Sequence, residues 1–521
     1  MLRIVRTENG LVKGIPAADP RITAFKGVPF AAPPVGELRW KAPQPASDWE
    51  GIRECYDFAP INMQTPPGLD PMNLYAREWN VDPTIAMSED SLYLNIWTNA
   101  KTGDEKMPVM IWFFGGGYNA GNTAEMEFDG ERIARRDVIL VSVQYRLGVF
   151  GFLAHQLLAD EAPGEPIGNY GLLDMRYAIQ WVKRNITAFG GDPENITIFG
   201  QSAGAGATLC HVGSPMNKGL FQRAIFESGG GLRTYGQGGG CIGLEEALTN
   251  GKGFFEEYGI KSLEEARAVP AEKLNEIGMA YGRKHRFEPV IDGYFLERDP
   301  SDVLASGDYP DISLMYGCTG TELDVGIPGT GLPKTIDELR EWGLKKYGEK
   351  YIDEFMKLCN CHDDMDVCML VHTDDSFRGR FMNNALFIEQ RVRSGKKDNW
   401  MYIFDASMPG WDSQQSFHSS ELWFVFETLA KCWRPFKGKH YDLARKVCNY
   451  WTNFAKTGNP NGLDADGTPM EEWRSATGED RYMHYLNENR IGAYGKGNTE
   501  LIKFRIRVTF EMLKEKGVIR D

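Results

Sequence analysis

The chain of 521 residues predicts an α/β fold: a largely parallel central sheet with helical, lid-like insertions. Three observations carry that expectation. Short apolar runs alternate with longer stretches of helical periodicity. No repeat, low-complexity tract or linker interrupts the alternation, so residues 1–521 are expected to form one domain. One serine, Ser202, stands where a strand-like run meets a run of small residues.

The N-terminus, "MLRIVRTENGLVKGI", alternates apolar and polar residues around Glu-Asn-Gly and reads as a hairpin. Six later runs read as buried strands: Pro108–Phe114, Val138–Val143, Ile196–Gly200, Ala224–Ser228, Ile312–Gly317 and Trp400–Asp405. Between them, Gly171–Phe189 places Leu172, Met175, Ala178, Ile179 and Val182 at helical spacing. Leu244–Gly282 and Ile336–Leu358 read as helices inserted after central strands, where they would cover a site at the carboxyl edge of the sheet.

Composition excludes some functions. A net charge of −14 argues against nucleic acid, which favours a basic face. No apolar stretch approaches the ~20 residues of a membrane helix, and no signal-peptide pattern opens the chain. A cytoplasmic protein is expected. The nine cysteines fit reduced thiols in a reducing compartment. Cys359, Cys361, His362 and Cys368 resemble a metal cluster, but C-x-C is not the spacing of a common zinc site, and no metal is expected.

The stretch "IFGQSAGAGA" contains G-x-S-x-G at Gly200–Gly204. Its strand before and helix-compatible run after are what a nucleophile elbow needs. The flanking glycines let the backbone turn without Cβ clashes. The turn exposes Ser202 Oγ and aims the Ala203 N–H at the oxyanion, beside a helix N-terminus. A serine nucleophile needs a base, and the base needs an acid, in the chain order Ser, acid, His. Glu322 follows the strand at Ile312–Gly317 directly, with Asp324 as its competitor. His418 lies in the polar loop after Trp400–Asp405, with His440 and His484 as alternatives. "FFGGGYNAG" follows an earlier strand, and its glycines expose amides, so Gly116 and Gly117 join Ala203 as oxyanion donors. This chemistry requires no cofactor.

These residues lie within longer motifs. "FKGVPFAAPPVGELRW", "SEDSLYLNIW", "WFFGGGY", "YRLGVFGFL", "NYGLLDMRYAIQWVKRNITAFGGDPENITIFGQSAGA", "FQRAIFESG" and "FHSSELWFVF" run nearly end to end. Together they resemble the type-B carboxylesterases, which include bacterial para-nitrobenzyl esterases and, more distantly, cholinesterases. The resemblance implies an α/β-hydrolase fold and a Ser202–Glu322–His418 triad with oxyanion amides on Gly116, Gly117 and Ala203. It also implies hydrolysis of a small-molecule carboxylic ester through an acyl-enzyme.

Departures from the family pattern refine the expectation. Ser91 replaces the cysteine that secreted members use for a disulfide. Phe114, before the glycine triplet, cannot hydrogen-bond where relatives have His or Tyr. Gln201 is neutral where cholinesterases have Glu, which points to neutral esters. Trp79 resembles their choline-binding tryptophan at a different spacing. Phe114, Tyr118, Trp79, Gln201 and Phe424 are pocket candidates, although the run Trp423–Phe426 also reads as core. Ser228 matches a family serine near the catalytic histidine and reads equally as a buried structural hydroxyl. Acyl and alcohol preference, an aryl-ester or amide specialisation, and oligomeric state stay open.

Overall fold

A computed structural model describes residues 1–65, 72–78, 82, 84–232, 241–322, 332–396, 399–495 and 498–520. Trp79 and Asp324 lie outside the described residues. The centre is an eleven-stranded sheet, whose strands we number in chain order. They are β1 Ile15–Pro16, β2 Thr23–Pro29, β3 Tyr93–Thr98, β4 Met107–Phe113, β5 Ile139–Val143 and β6 Gly191–Gln201. Then come β7 Arg223–Glu227, β8 Ser313–Thr319, β9 Asn399–Phe404, β10 His484–Asn487 and β11 Arg490–Ala493. From one edge their order is β11-β10-β9-β8-β7-β6-β4-β5-β3-β2-β1.

All six buried strands expected from the sequence are present, as β4 to β9. They run parallel to one another, and β10 extends the block. Their side chains are buried on both faces: β5 and β9 have no exposed residue. That double burial is why they read as unbroken apolar runs. The strands β1, β2, β3 and β11 add antiparallel margins. The N-terminal hairpin pairs Ile4–Arg6 with Leu11–Lys13 in a separate small sheet.

Three helices fill the insertion Leu244–Gly282: Leu244–Glu257, Leu263–Ala268 and Ala271–Gly282. Two more, Ile336–Tyr347 and Ile352–Cys359, occupy the second insertion. The long helix after β5 spans Tyr170–Asn185 and tightens into a 3-10 turn at Ile186–Phe189, which Gly190 ends at φ 89°. No helix among the described residues is long and apolar enough to cross a membrane.

Because β4, β6, β8 and β9 run in the same direction, the loops that leave them all emerge at one carboxyl edge of the parallel block. Open α/β sheets build their sites at that edge.

Candidate active site

The site starts from a strained turn. Ser202 follows β6 directly and precedes the helix Ala203–Gly213, with φ 55° and ψ −118°. A non-glycine residue holds such a conformation only where its surroundings impose it. Here the Ser202 N–H donates to Glu227 O at 2.9 Å, and the Gly206 N–H donates to Ser202 O at 3.0 Å. The flanking glycines are required sterically. A Cβ on Gly204 would lie 2.0 Å from Phe113 O, and one on Gly200 would lie 2.4 Å from Gly204 C. The helix therefore starts in contact with the backbone of the neighbouring strand.

Glu322 and His418 come together from two loops. Glu322 lies just past β8, and Phe417 pairs with it as an isolated parallel bridge. The His418 N–H donates to Glu322 O at 2.9 Å. Their side chains then meet, His418 Nδ1 to Glu322 Oε2 at 2.5 Å. The other carboxylate oxygen, Oε1, accepts the Thr319 N–H at 2.9 Å. Gln201, the residue before Ser202, brings its amide Nε2 within 3.3 Å of His418 Nε2. The nitrogen of His418 that faces the turn is thus the one not held by Glu322. His440 caps its own helix instead, accepting the Lys437 N–H, and His484 stacks on Trp473 at 4.6 Å, so neither competes.

Charge in this site is sorted by neighbours. Burial pushes the Glu322 carboxyl up, but the His418 ring and Arg380 outweigh it and hold it below the usual carboxylate range. Arg380 Nε lies 3.2 Å from the same Oε2 that His418 uses. For His418, burial lowers the pKa and Glu322 offsets only part of that, so the ring is neutral at pH 7. Glu421 is buried and pushed up to about 8 by desolvation and the Glu322 charge. Ser228, itself fully buried, donates to Glu421 Oε1 at 2.6 Å. Glu421 lies three residues after His418 in the run "FHSSELWFVF", where nothing in the sequence marks it for this role. Nothing near Arg380 in the sequence signals its contact with Glu322.

The glycine loop after β4 lies beside the turn. A Cβ on Gly115 would lie 3.1 Å from Ser202 Cβ, and Gly116 and Gly117 have φ of 105° and 64°. Among the described residues no acceptor is assigned to the N–H groups of Gly116, Gly117 or Ala203. The loop is held by hydrogen bonds that do not need a polar side chain at position 114. Tyr145 OH donates to Phe114 O at 2.8 Å, and the Gln64 amide exchanges two hydrogen bonds with Gly121. Ser91 is buried with its hydroxyl bonded to the Asn62 side chain.

The pocket candidates divide. Gln201 stands in the site. Phe114 is fully buried and stacks on Tyr145 at 4.3 Å. Phe424 is buried edge-on to Phe404 at 4.9 Å, a core position. Tyr118 lies buried against Phe152, at φ 63° on the glycine loop. Among the described residues no group of three His, Cys, Asp or Glu is placed to hold a metal ion.

Comparison with known proteins adds to this geometry. Residues 2–501 match the model of the carboxylesterase family. A fumonisin B1 esterase of Sphingopyxis macrogoltabida is 33% identical over 88% of this chain and 83% of its own length. The para-nitrobenzyl esterase of Bacillus subtilis (strain 168) is 33% identical over 88% of this chain and 91% of its own. Among solved structures, a para-nitrobenzyl esterase superposes with a TM-score of 0.77 at 28% identity, covering 97% of this chain and 99% of that one. A carboxylesterase of Geobacillus stearothermophilus gives 0.75 at 30%, covering 98% and 100%. With its fold, its carboxyl-edge site and a family match over nearly its whole length, this chain belongs to the carboxylesterase family and is a carboxylic ester hydrolase of the α/β-hydrolase fold.

Proposed function

We propose that the protein hydrolyses neutral small-molecule carboxylic esters through an acyl-enzyme on Ser202. The observation that carries this reading is the strained turn at Ser202 next to a buried His418, whose Nδ1 is held by Glu322 and whose Nε2 is reached by Gln201, the residue before Ser202. His418 Nε2 takes the proton as Ser202 Oγ attacks the ester carbonyl. Glu322 keeps the proton on Nδ1 in the resting ring and stabilises the imidazolium that forms. Ala203, Gly116 and Gly117 donate their amides to the oxyanion, each worth about 3 kcal/mol in the transition state. His418 then protonates the leaving alcohol. Water, deprotonated by the same ring, releases the acid.

The preference for a neutral ester rests on Gln201. Its amide occupies the position beside His418 without adding a charge that would attract a cationic substrate. The names of the two bacterial relatives, one for a fumonisin and one for a para-nitrobenzyl ester, agree with ester hydrolysis.

Rapid mixing with p-nitrophenyl acetate tests the covalent step. A burst of about one equivalent of p-nitrophenol, absent in Ser202→Ala, is expected, with kcat lower by roughly 10⁴-fold or more in the variant. Turnover by Ser202→Ala at the wild-type rate would remove the proposal.

A further inference from the structure

We propose that Cys210 and Cys241 are a disulfide-forming pair that ties the helix following Ser202 to the inserted helical lobe. Cys210 lies within that helix, Ala203–Gly213, and is 2% exposed. Cys241 is half-buried and stands immediately before the strand Ile242–Gly243. Their sulfurs are 3.9 Å apart although 31 residues separate them in the chain. Bond formation needs the sulfurs to close by about 2 Å, to the ~2.05 Å of a disulfide.

The place of the pair gives the bond a consequence. Ile242–Gly243 pairs in parallel with Val290–Ile291, and the two strands bracket the three inserted helices. The far strand of this bracket is already anchored, because Asn169 exchanges two hydrogen bonds with Val290. Cys241 immediately precedes the near strand. A Cys210–Cys241 bond fixes that end as well, and to the helix whose first residues carry Ser202 and Ala203. Ser202 lies two turns from Cys210, so the bond constrains the lobe without entering the site.

The burial of the two thiols sets the order of events. With a low-molecular-weight disulfide as oxidant, the Cys241 thiolate attacks one of its sulfurs. That S–S bond breaks, and one small thiol leaves with its electron pair and takes up a proton. The Cys210 thiolate, too buried to meet the oxidant first, then attacks Cys241 Sγ in the mixed disulfide. A second small thiol leaves, and the protein has lost two electrons and two protons. In a reducing compartment the pair rests as thiols, as it stands in this structure.

The test treats the native protein with glutathione disulfide, then unfolds it, alkylates it and maps its peptides. The expected product is a Cys210–Cys241 linked peptide, with two fewer alkylated thiols than the nine of the sequence. Cys210→Ser is expected to stop at one glutathione on Cys241, and Cys241→Ser to accept none at Cys210. Oxidised wild-type protein should melt at a higher temperature than reduced protein and keep its esterase activity within twofold. All nine thiols alkylated after treatment, or a linked peptide joining other cysteines, overturns the proposal.

Discussion

At position 201 a neutral amide lies 3.3 Å from the Nε2 of His418, the nitrogen we propose as the acceptor of the Ser202 proton. A donor there favours the neutral ring, adding to the burial that already lowers its pKa. A carboxylate in the same place would favour the imidazolium instead. Gln201→Glu is therefore expected to move the acid limb of the kcat/KM profile up by about one to two pH units, since an opposite charge at this range shifts a pKa by that order. A limb that stays in place would show that Gln201 does not face the base. Single residues were legible in unequal measure. Ser202, Glu322 and His418 follow from chain order and from their place after strands, and the structure brings the Glu322 and His418 side chains together. Arg380 and the Ser228–Glu421 contact are not readable, because they depend on which loops converge at the sheet edge. Phe424 read as a pocket candidate from its aromatic neighbours, but an aromatic run has the same composition in a core as in a pocket.

Among the elements, the turn from β6 into its helix is the one the sequence specifies most tightly. Gly204 lies so close to β4 that a methyl group would meet the backbone carbonyl of Phe113, which cannot yield as a side chain would. Gly204→Ala is expected to cost about 2–4 kcal/mol in urea unfolding and to remove most activity, because the helix must shift away from the strand. Stability within about 0.5 kcal/mol of wild type would contradict this account of the elbow. The central strands were legible because burial on both faces leaves continuous apolar runs. The margins were not. β2 contains a glycine and a proline, and its register with β3 shifts between Phe25 and Val28. β6 begins five residues before the apolar run, at Gly191–Asn195, where Gly, Asp, Pro and Asn disfavour strands; of these only Gly191 pairs with β4, and the register shifts before pairing resumes at Ile196.

On the scale of the whole molecule, one apolar cluster draws residues from Val5 to Leu513, which supports our proposal of a single domain. That core also buries two histidines. His211 stacks on Phe113, and His484 stacks on Trp473. Burial lowers each to about 3 from an ordinary value near 6.5. Their folded pKa values are depressed, so the unfolded chain binds more protons as pH falls below about 6.5. The stability they contribute is complete above that pH and lost progressively toward pH 3. At pH 5.5 the two together should cost about 2–3 kcal/mol relative to pH 7.5. Urea midpoints across this range measure the loss, and a slope unchanged in His211→Gln and His484→Gln would assign it elsewhere.

Everything proposed for this site depends on Ser202, alone among the serines, being the nucleophile. Labelling with an organophosphonate and mapping the adduct by mass spectrometry tests it most directly. One phosphonyl group per chain is expected, on the peptide containing Ser202, with no label on a Ser202→Ala protein whose far-UV circular dichroism spectrum is unchanged. An adduct mapped to another residue, or stoichiometric labelling of folded Ser202→Ala, would contradict it.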